Sequence, residues 1–195
     1  ASHAVDYPII QPHPGFAEQD PEELFAAVIQ AVGAVTVRHG IRPQQVKAIG
    51  LSAAMHSMMA LDESGRPLTR LIIWADNRSV VQAERLLKEH HGLDIYRRTW
   101  TPIHPMSPLP KLLWLKEEEP DVFRQAHRFV SVKDYVLYRL YGDYVTDHSL
   151  ASATGLFRLD TLDWDEDVLS LLGIGRERLP RLVPATHILQ GMNKE

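Results

Sequence analysis

The sequence predicts an α/β domain, and three features of its pattern carry that reading. Short apolar runs of strand length stand at residues 46–52 (VKAIGLS), 58–61 and 71–74. Around them lie stretches in which apolar residues recur at helical spacing. The two kinds of segment alternate along the chain, as they do where helices cover the faces of a sheet. At 195 residues the chain fits one domain, taken as residues 1–195 without division.

Residues 1–19, with Pro8, Pro12 and Pro14, read as an extended arm. Asp20, Pro21 and Glu23 then open a helix. An aspartate can cap, proline suits the first helical position, and a glutamate three residues after the cap completes a capping box. Leu24, Val28, Ala31, Val32 and Val35 continue at helical spacing until Gly40. The run at 46–52, apolar and preceded by helix, fits a buried strand. A second strand is expected at 58–61, a turn at Asp62-Glu63-Ser64-Gly65 and a third strand at 71–74. Helices follow at about 78–91 and 109–118, parted by a loop holding Pro102, Pro105 and Pro108. A strand at 129–131, a helix over 132–141, a strand at 156–159 and a short helix over 164–172, ended by Gly173, complete the pattern.

Composition narrows the function classes. The chain is 45% hydrophobic and 24% charged, ordinary values for a folded globular protein. Its net charge of −4 and scattered basic residues offer no field for nucleic acid. Cysteine is absent, which excludes disulfides, thiolate metal sites and cysteine nucleophiles, and fits a cytoplasmic location. No apolar stretch reaches the roughly 20 residues that span a bilayer.

Three clusters interrupt the periodic pattern. Ser52-Ala53-Ala54-Met55-His56-Ser57 follows the run at 46–52. Polar residues beyond the carboxyl end of a strand are placed for ligand contact in open α/β sheets. His56 could bond a sugar hydroxyl, or it could be a structural histidine held by backbone. Trp74-Ala75-Asp76-Asn77-Arg78 follows the third apolar run. A carboxylate, an amide and a guanidinium together suit a polyol, and Arg78 could pair with a substrate carboxylate. The other reading makes Asp76 or Asn77 a helix cap and Trp74 core. Thr146-Asp147-His148-Ser149-Leu150-Ala151-Ser152-Ala153-Thr154-Gly155 is small and hydroxyl-rich. It could order neighbouring loops or cradle a phosphate, and with no Walker pattern and no following lysine the structural role fits better. Adjacent His90 and His91 point apart on a helix and lack the further ligands of a zinc site.

Together these clusters resemble the FGGY carbohydrate kinases, a branch of the actin-like, ribonuclease-H-like superfamily. Pro14-Gly15-Phe16-Ala17-Glu18-Gln19-Asp20-Pro21 is similar to that family's entry to its first helix. Ile49-Gly50-Leu51-Ser52, Met55-His56, Trp74 to Arg78, Lys111-Leu112-Leu113-Trp114-Leu115, Lys133-Asp134-Tyr135 and Thr146 to Gly155 follow in the family's order. Within the family, the segments around His56 and Trp74, with Ile103-His104-Pro105-Met106-Ser107-Pro108, look most like gluconate kinases. Xylulose kinases tend to carry glycine where Ser57 stands. Trp100 departs from the pattern, since similar enzymes usually have glycine there, and its bulk is expected to reshape the loop leading to His104.

The resemblance implies an incomplete actin-like, ribonuclease-H-like fold, the sugar-binding N-terminal lobe. The family's Asp-Gly-Thr hairpin is expected before Ala1. Its general base, an aspartate in a Gly-Asp motif, and its adenine-binding lobe are expected beyond Glu195. No catalytic residue and no metal ligand are therefore assigned within the chain, and the chain alone is expected to be inactive. In the intact enzyme ATP and Mg²⁺ would serve a hydroxyl of a sugar or sugar acid, D-gluconate giving 6-phosphogluconate, with xylulose or another pentulose as the alternative. Substrate contacts are expected from Met55, His56, Asp76 and Arg78, with Trp74 and His104 shaping the pocket and Asp147 contributing. A sheet edge left unpaired would favour association with a second copy or with a separate kinase lobe.

Overall fold

The computed structural model describes residues 1–193. In order they form β1 (Glu18–Gln19), α1 (Pro21–Arg38), β2 (Met59–Leu61), β3 (Leu71–Ile72), α2 (Val80–Glu89), α3 (Gly92–Thr99), α4 (Pro108–Glu118) and α5 (Pro120–Gln125). There follow β4 (Arg128–Val130), α6 (Val132–Tyr141), β5 (Val145–Asp147), α7 (His148–Ala151), β6 (Phe157–Arg158), β7 (Asp163–Trp164), α8 (Glu166–Leu172) and β8 (Arg181–Val183).

Antiparallel pairing links the centre of the molecule. β1 pairs with β3, Met58 bridges Ile72, and β2 pairs with β4 in the register Met59↔Val130, Ala60↔Phe129 and Leu61↔Arg128. Successive strand residues face opposite sides, and that alternation divides the core in two. Met58, Ala60, Ile72 and Phe129 pack with Leu86 of α2, Ile95 of α3, Leu109 and Leu112 of α4 and Val168 and Leu169 of α8. Met59, Leu61, Leu71, Ile73 and Val130 pack on the other side with Leu24 of α1 and Val132, Tyr135 and Val136 of α6. Helices thus cover both faces, which is the α/β arrangement the sequence predicts. β5 and β8 add a parallel pair, joined through the intervening α7, β6, β7 and α8.

The helix ends follow their capping chemistry. Asp20 accepts from the N–H groups of Glu22 and Glu23, with Pro21 at the first position of α1. Ser131 and Asp134 form the reciprocal capping box of α6, and Gly142 in the left-handed region ends it. The turn after β2 is built on Asp62, whose Oδ1 accepts from the N–H groups of Ser64 and Arg66.

Several expectations are corrected. Residues 46–52 form no strand, and Val46 and Ile49 are exposed. An apolar run becomes a strand only with a partner for its N–H and C=O groups, and none of the described residues supplies one. The helix expected over 78–91 stops at Glu89, and α3 follows at once. Gly92, the first residue of α3, is a close contact: a Cβ there would meet the Leu87 backbone at 2.7 Å, so glycine lets α3 turn back on α2.

Trp100 caps α3 at φ 55°, ψ 13°, and its N–H donates to the Tyr96 carbonyl. This left-handed position favours glycine. Its indole is exposed and lies against Tyr96. Trp100→Gly should therefore raise stability by about 0.5–1 kcal/mol, most of the backbone cost less the lost contact with Tyr96. Urea unfolding decides it, and a lower midpoint for the variant would contradict this account of the tryptophan.

Candidate sugar-binding site

Two sequence motifs about sixty residues apart interlock beneath the site. Asp76 is completely buried. Its Oδ2 accepts from the Ala17 N–H at 2.6 Å, and its two oxygens accept from Arg78 Nε and Nη2 at 2.9 and 2.8 Å. The same Nη2 donates to Glu18 Oε1 at 2.6 Å. The guanidinium also lies over the ring of Phe16, at 3.9 Å from its centroid, with Trp114 beyond. The Gly15 carbonyl, on a backbone at φ 83°, accepts from the Asn77 N–H. The segment of residues 14–21 and the Trp74 loop are therefore one device, and β1 pairs with β3 because of it.

The strap from Ala53 to Ser57 crosses above. His56 sits at φ 66°, a left-handed backbone that a histidine rarely adopts and that marks stored strain near functional sites. Its Nδ1 is 2.8 Å from the Ala153 carbonyl. A carbonyl can only accept, so Nδ1 carries the proton. Partial burial, with the charges of Lys111 and His104 nearby, holds the imidazole below its ordinary value, although the Ala153 bond works the other way. At neutral pH the ring is thus neutral and Nε2 presents a lone pair. Ser57, the next residue, is buried and accepts from the Val132 N–H at the start of α6.

Met55 and Trp74, both exposed, line a groove of about 370 Å³ with Gln19, Ser52 and Lys133. Lys133 donates to Asp147 Oδ2 at 2.6 Å. Burial opposes ionisation of Asp147, but Lys133 and the Leu150 N–H outweigh it and hold the carboxyl below its usual value. The pair also borders a second groove, of about 560 Å³, between residues 46–51 and 183–192.

The structure thus gathers the expected residues in three groups. Met55, Trp74 and Lys133 line the first groove, and Asp147, bonded to Lys133, lines the second. His56 is not among the residues that line the first groove and lies near His104, which is exposed and receives the Met106 N–H at its Nδ1. Asp76 and Arg78 are buried, with both Asp76 oxygens and the Arg78 Nε and Nη2 bonded among themselves and to Ala17 and Glu18. The hydroxyl-rich run at 146–155 serves its neighbours through carbonyls: Ala153 accepts from His56, Ser152 from Thr101 and Thr154 from the Leu109 N–H. From the sequence, Lys133 and Ser57 are read only as members of family motifs, with no role for either; the bonds to Asp147 and to the Val132 N–H supply those roles.

The chain is similar to known carbohydrate kinases. The model of the N-terminal domain of the FGGY family of carbohydrate kinases matches residues 1–195. The chain is 43% identical over 192 residues to a gluconokinase of Bacillus subtilis, covering 98% of the chain and 37% of that protein. A crystal structure of gluconate kinase from Lactobacillus acidophilus superposes with a TM-score of 0.93 at 36% identity, over 97% of the chain and 38% of its own length. A ligand-bound xylulose kinase from the same organism gives 0.89 at 36% identity, over 97% and 38%. The chain spans little more than a third of these relatives. No helix among the described residues is long and apolar enough to cross a membrane.

Proposed function

Because the chain belongs to the FGGY family of carbohydrate kinases through that family's N-terminal, actin-like domain, we propose that it is the sugar-binding lobe of an ATP-dependent kinase whose substrate is D-gluconate. The observation that carries this reading is the His56 ring, with Nδ1–H committed to Ala153 and Nε2 open. A polyol hydroxyl donates to such a nitrogen. Met55, next to His56 in the chain, and Trp74 are exposed and offer apolar and aromatic surface for the C–H faces of the sugar. The likeness to a gluconokinase, at 43% identity against 32% for a xylulose kinase, favours a sugar acid as the substrate. Asp76 and Arg78 act here by holding the Trp74 loop to residues 15–18.

Phosphoryl transfer depends on positioning and on charge neutralisation. Among the described residues no group of three His, Asp or Glu side chains could hold a metal ion. Kinases hold Mg²⁺ with one or two carboxylates and the phosphates of ATP itself, so ATP and Mg²⁺ need no such cluster. In this proposal those are held elsewhere in the kinase, and the chain alone binds sugar without transferring phosphate.

Calorimetric titration of the chain with D-gluconate, against xylulose and glycerol, tests the reading. Saturable binding of gluconate is expected, weakened about tenfold by His56→Ala, the loss of one well-placed hydrogen bond. Equal binding of xylulose, or indifference to His56→Ala, would sink the gluconate assignment.

A further inference from the structure

Three backbone carbonyls from three separate loops converge on one buried side chain. Lys111, near the start of α4, has no exposed surface. Its Nζ donates to the carbonyl oxygens of His56 at 2.7 Å, Ile73 at 2.8 Å and Met106 at 2.8 Å. An ammonium has three hydrogens, and here each has its own acceptor. The loops so joined carry Met55 and His56, Trp74, and His104. These are the strap, the groove wall and the far side of the site.

The charge has no ion-pair partner in contact, which makes it costly. A core position that needed only bulk would be filled by leucine or methionine, as its neighbours Leu109, Leu112 and Leu113 are. The lysine instead meets the carbonyl of the residue whose backbone is strained, His56 at φ 66°. Left-handed backbone at a non-glycine residue persists only when its surroundings over-determine it. The Nδ1 bond to Ala153 fixes the ring, and the Lys111 bond fixes the backbone behind it.

We propose that Lys111 is the positioning residue of the sugar site, holding the His56 backbone in its left-handed state so that Nε2 faces the substrate. The proposal rests on the site described under Proposed function but not on the identity of the sugar. Only the protonated amine can serve all three carbonyls, because a neutral amine donates twice. The titratable and charged groups around it are Asp76, Arg78, His56 and His104. Burial pushes the Lys111 ammonium down to about 7, with Asp76 opposing the fall and Arg78 adding to it.

The test is nitrogen NMR of the His56 ring in the whole chain, read alongside calorimetry with D-gluconate. In the wild type one ring nitrogen should be protonated and the other bare. In Lys111→Met, with the protected amides of β2 and α6 unchanged, the two nitrogens should average, and gluconate affinity should fall at least about tenfold. An unchanged ring pattern in the folded variant overturns the proposal. Should Lys111→Met fail to fold, the wild type is taken up in pH until the Lys111 Cε signal titrates. Averaging of the His56 nitrogens in the same step, with the fold intact, supports the proposal. An unmoved ring, or global unfolding in that step, overturns it. If the wild type binds no gluconate, the assigned substrate fails while the ring pattern still decides the role of Lys111.

Discussion

Asp76→Ala is expected to lower the stability of the domain by about 3–5 kcal/mol, the loss that follows when one partner of a buried ion pair is removed. The carboxylate is wholly buried and is the shared acceptor of the Ala17 N–H, the Arg78 N–H and two guanidinium nitrogens. Without it Arg78, only 5% exposed, keeps one carboxylate, Glu18, and the Ala17 donor loses its acceptor. An orphaned buried N–H adds its own desolvation cost, about 1–3 kcal/mol by itself. Asp76→Asn keeps an acceptor but loses the charge, so it should fall between the two. The double variant Asp76→Leu/Arg78→Met removes both charges and should recover part of the loss. Urea unfolding of the four proteins measures this. A single-variant loss under about 1 kcal/mol would show that the network is ornamental, against the geometry that joins β1 to β3.

The same network explains what could and could not be read from the sequence. The pairing of residues 14–21 with residues 74–78 was legible as two motifs, each credible alone. That they touch was not, because no local rule relates positions 59 and 60 residues apart. Asp76 and Arg78 were singled out for chemistry that suits a polyol. The same chemistry suits a buried ion pair, and only the fold chooses between them. The Asp20 cap and the short apolar strands at 59–61 and 71–72 were legible because they are local, whereas Ser131, read as the end of a strand, is the cap of α6. The run at 46–52 has the right composition for a strand, but a strand also needs a neighbour, which composition does not encode. β5 and β8 were missed for the related reason that each is three residues long and made by its parallel partner. Trp100 was legible only as a departure from a pattern, and its positive φ gives that departure its physical content.

Stability should also fall as the pH rises through about 4 to 6, by a contribution that Asp134→Asn abolishes. Asp134 is fully buried at the first turn of α6, and burial pushes its carboxyl up to about 6, although its bonds with Ser131 and the nearby Thr146 hydroxyl favour the charged form. Oδ2 accepts from the Ser131 N–H at 2.8 Å, whereas Oδ1 has no partner of good geometry among the described residues. Between the unfolded value, 3.8, and the folded value the native state holds the extra proton. There the unfolded chain binds fewer protons, so the free energy of unfolding declines with pH and stays low above the folded value. A displacement of about two units corresponds to roughly 3 kcal/mol. Paired carboxylates such as Asp147 and Glu22, whose values are lowered, contribute the opposite slope, so the informative quantity is the difference between variant and wild type. Asparagine can keep the Ser131 bond through its oxygen and turn its NH₂ toward the Thr146 hydroxyl, satisfying the atom that aspartate leaves bare. Urea unfolding from pH 4 to 8 should therefore show the variant near the wild type at the acid end and about 1–3 kcal/mol more stable at pH 7 to 8. A difference that does not vary with pH would mean that Asp134 stays ionised in the folded state. The expected result carries a structural meaning as well. The first turn of α6 takes the Ser57 hydroxyl at Val132 and presents Lys133 to Asp147, so its order is felt at the strap and at the groove. The acid closes the cap on that turn, and the stability lost between about pH 4 and 6 is the cost of ionising it in a buried place.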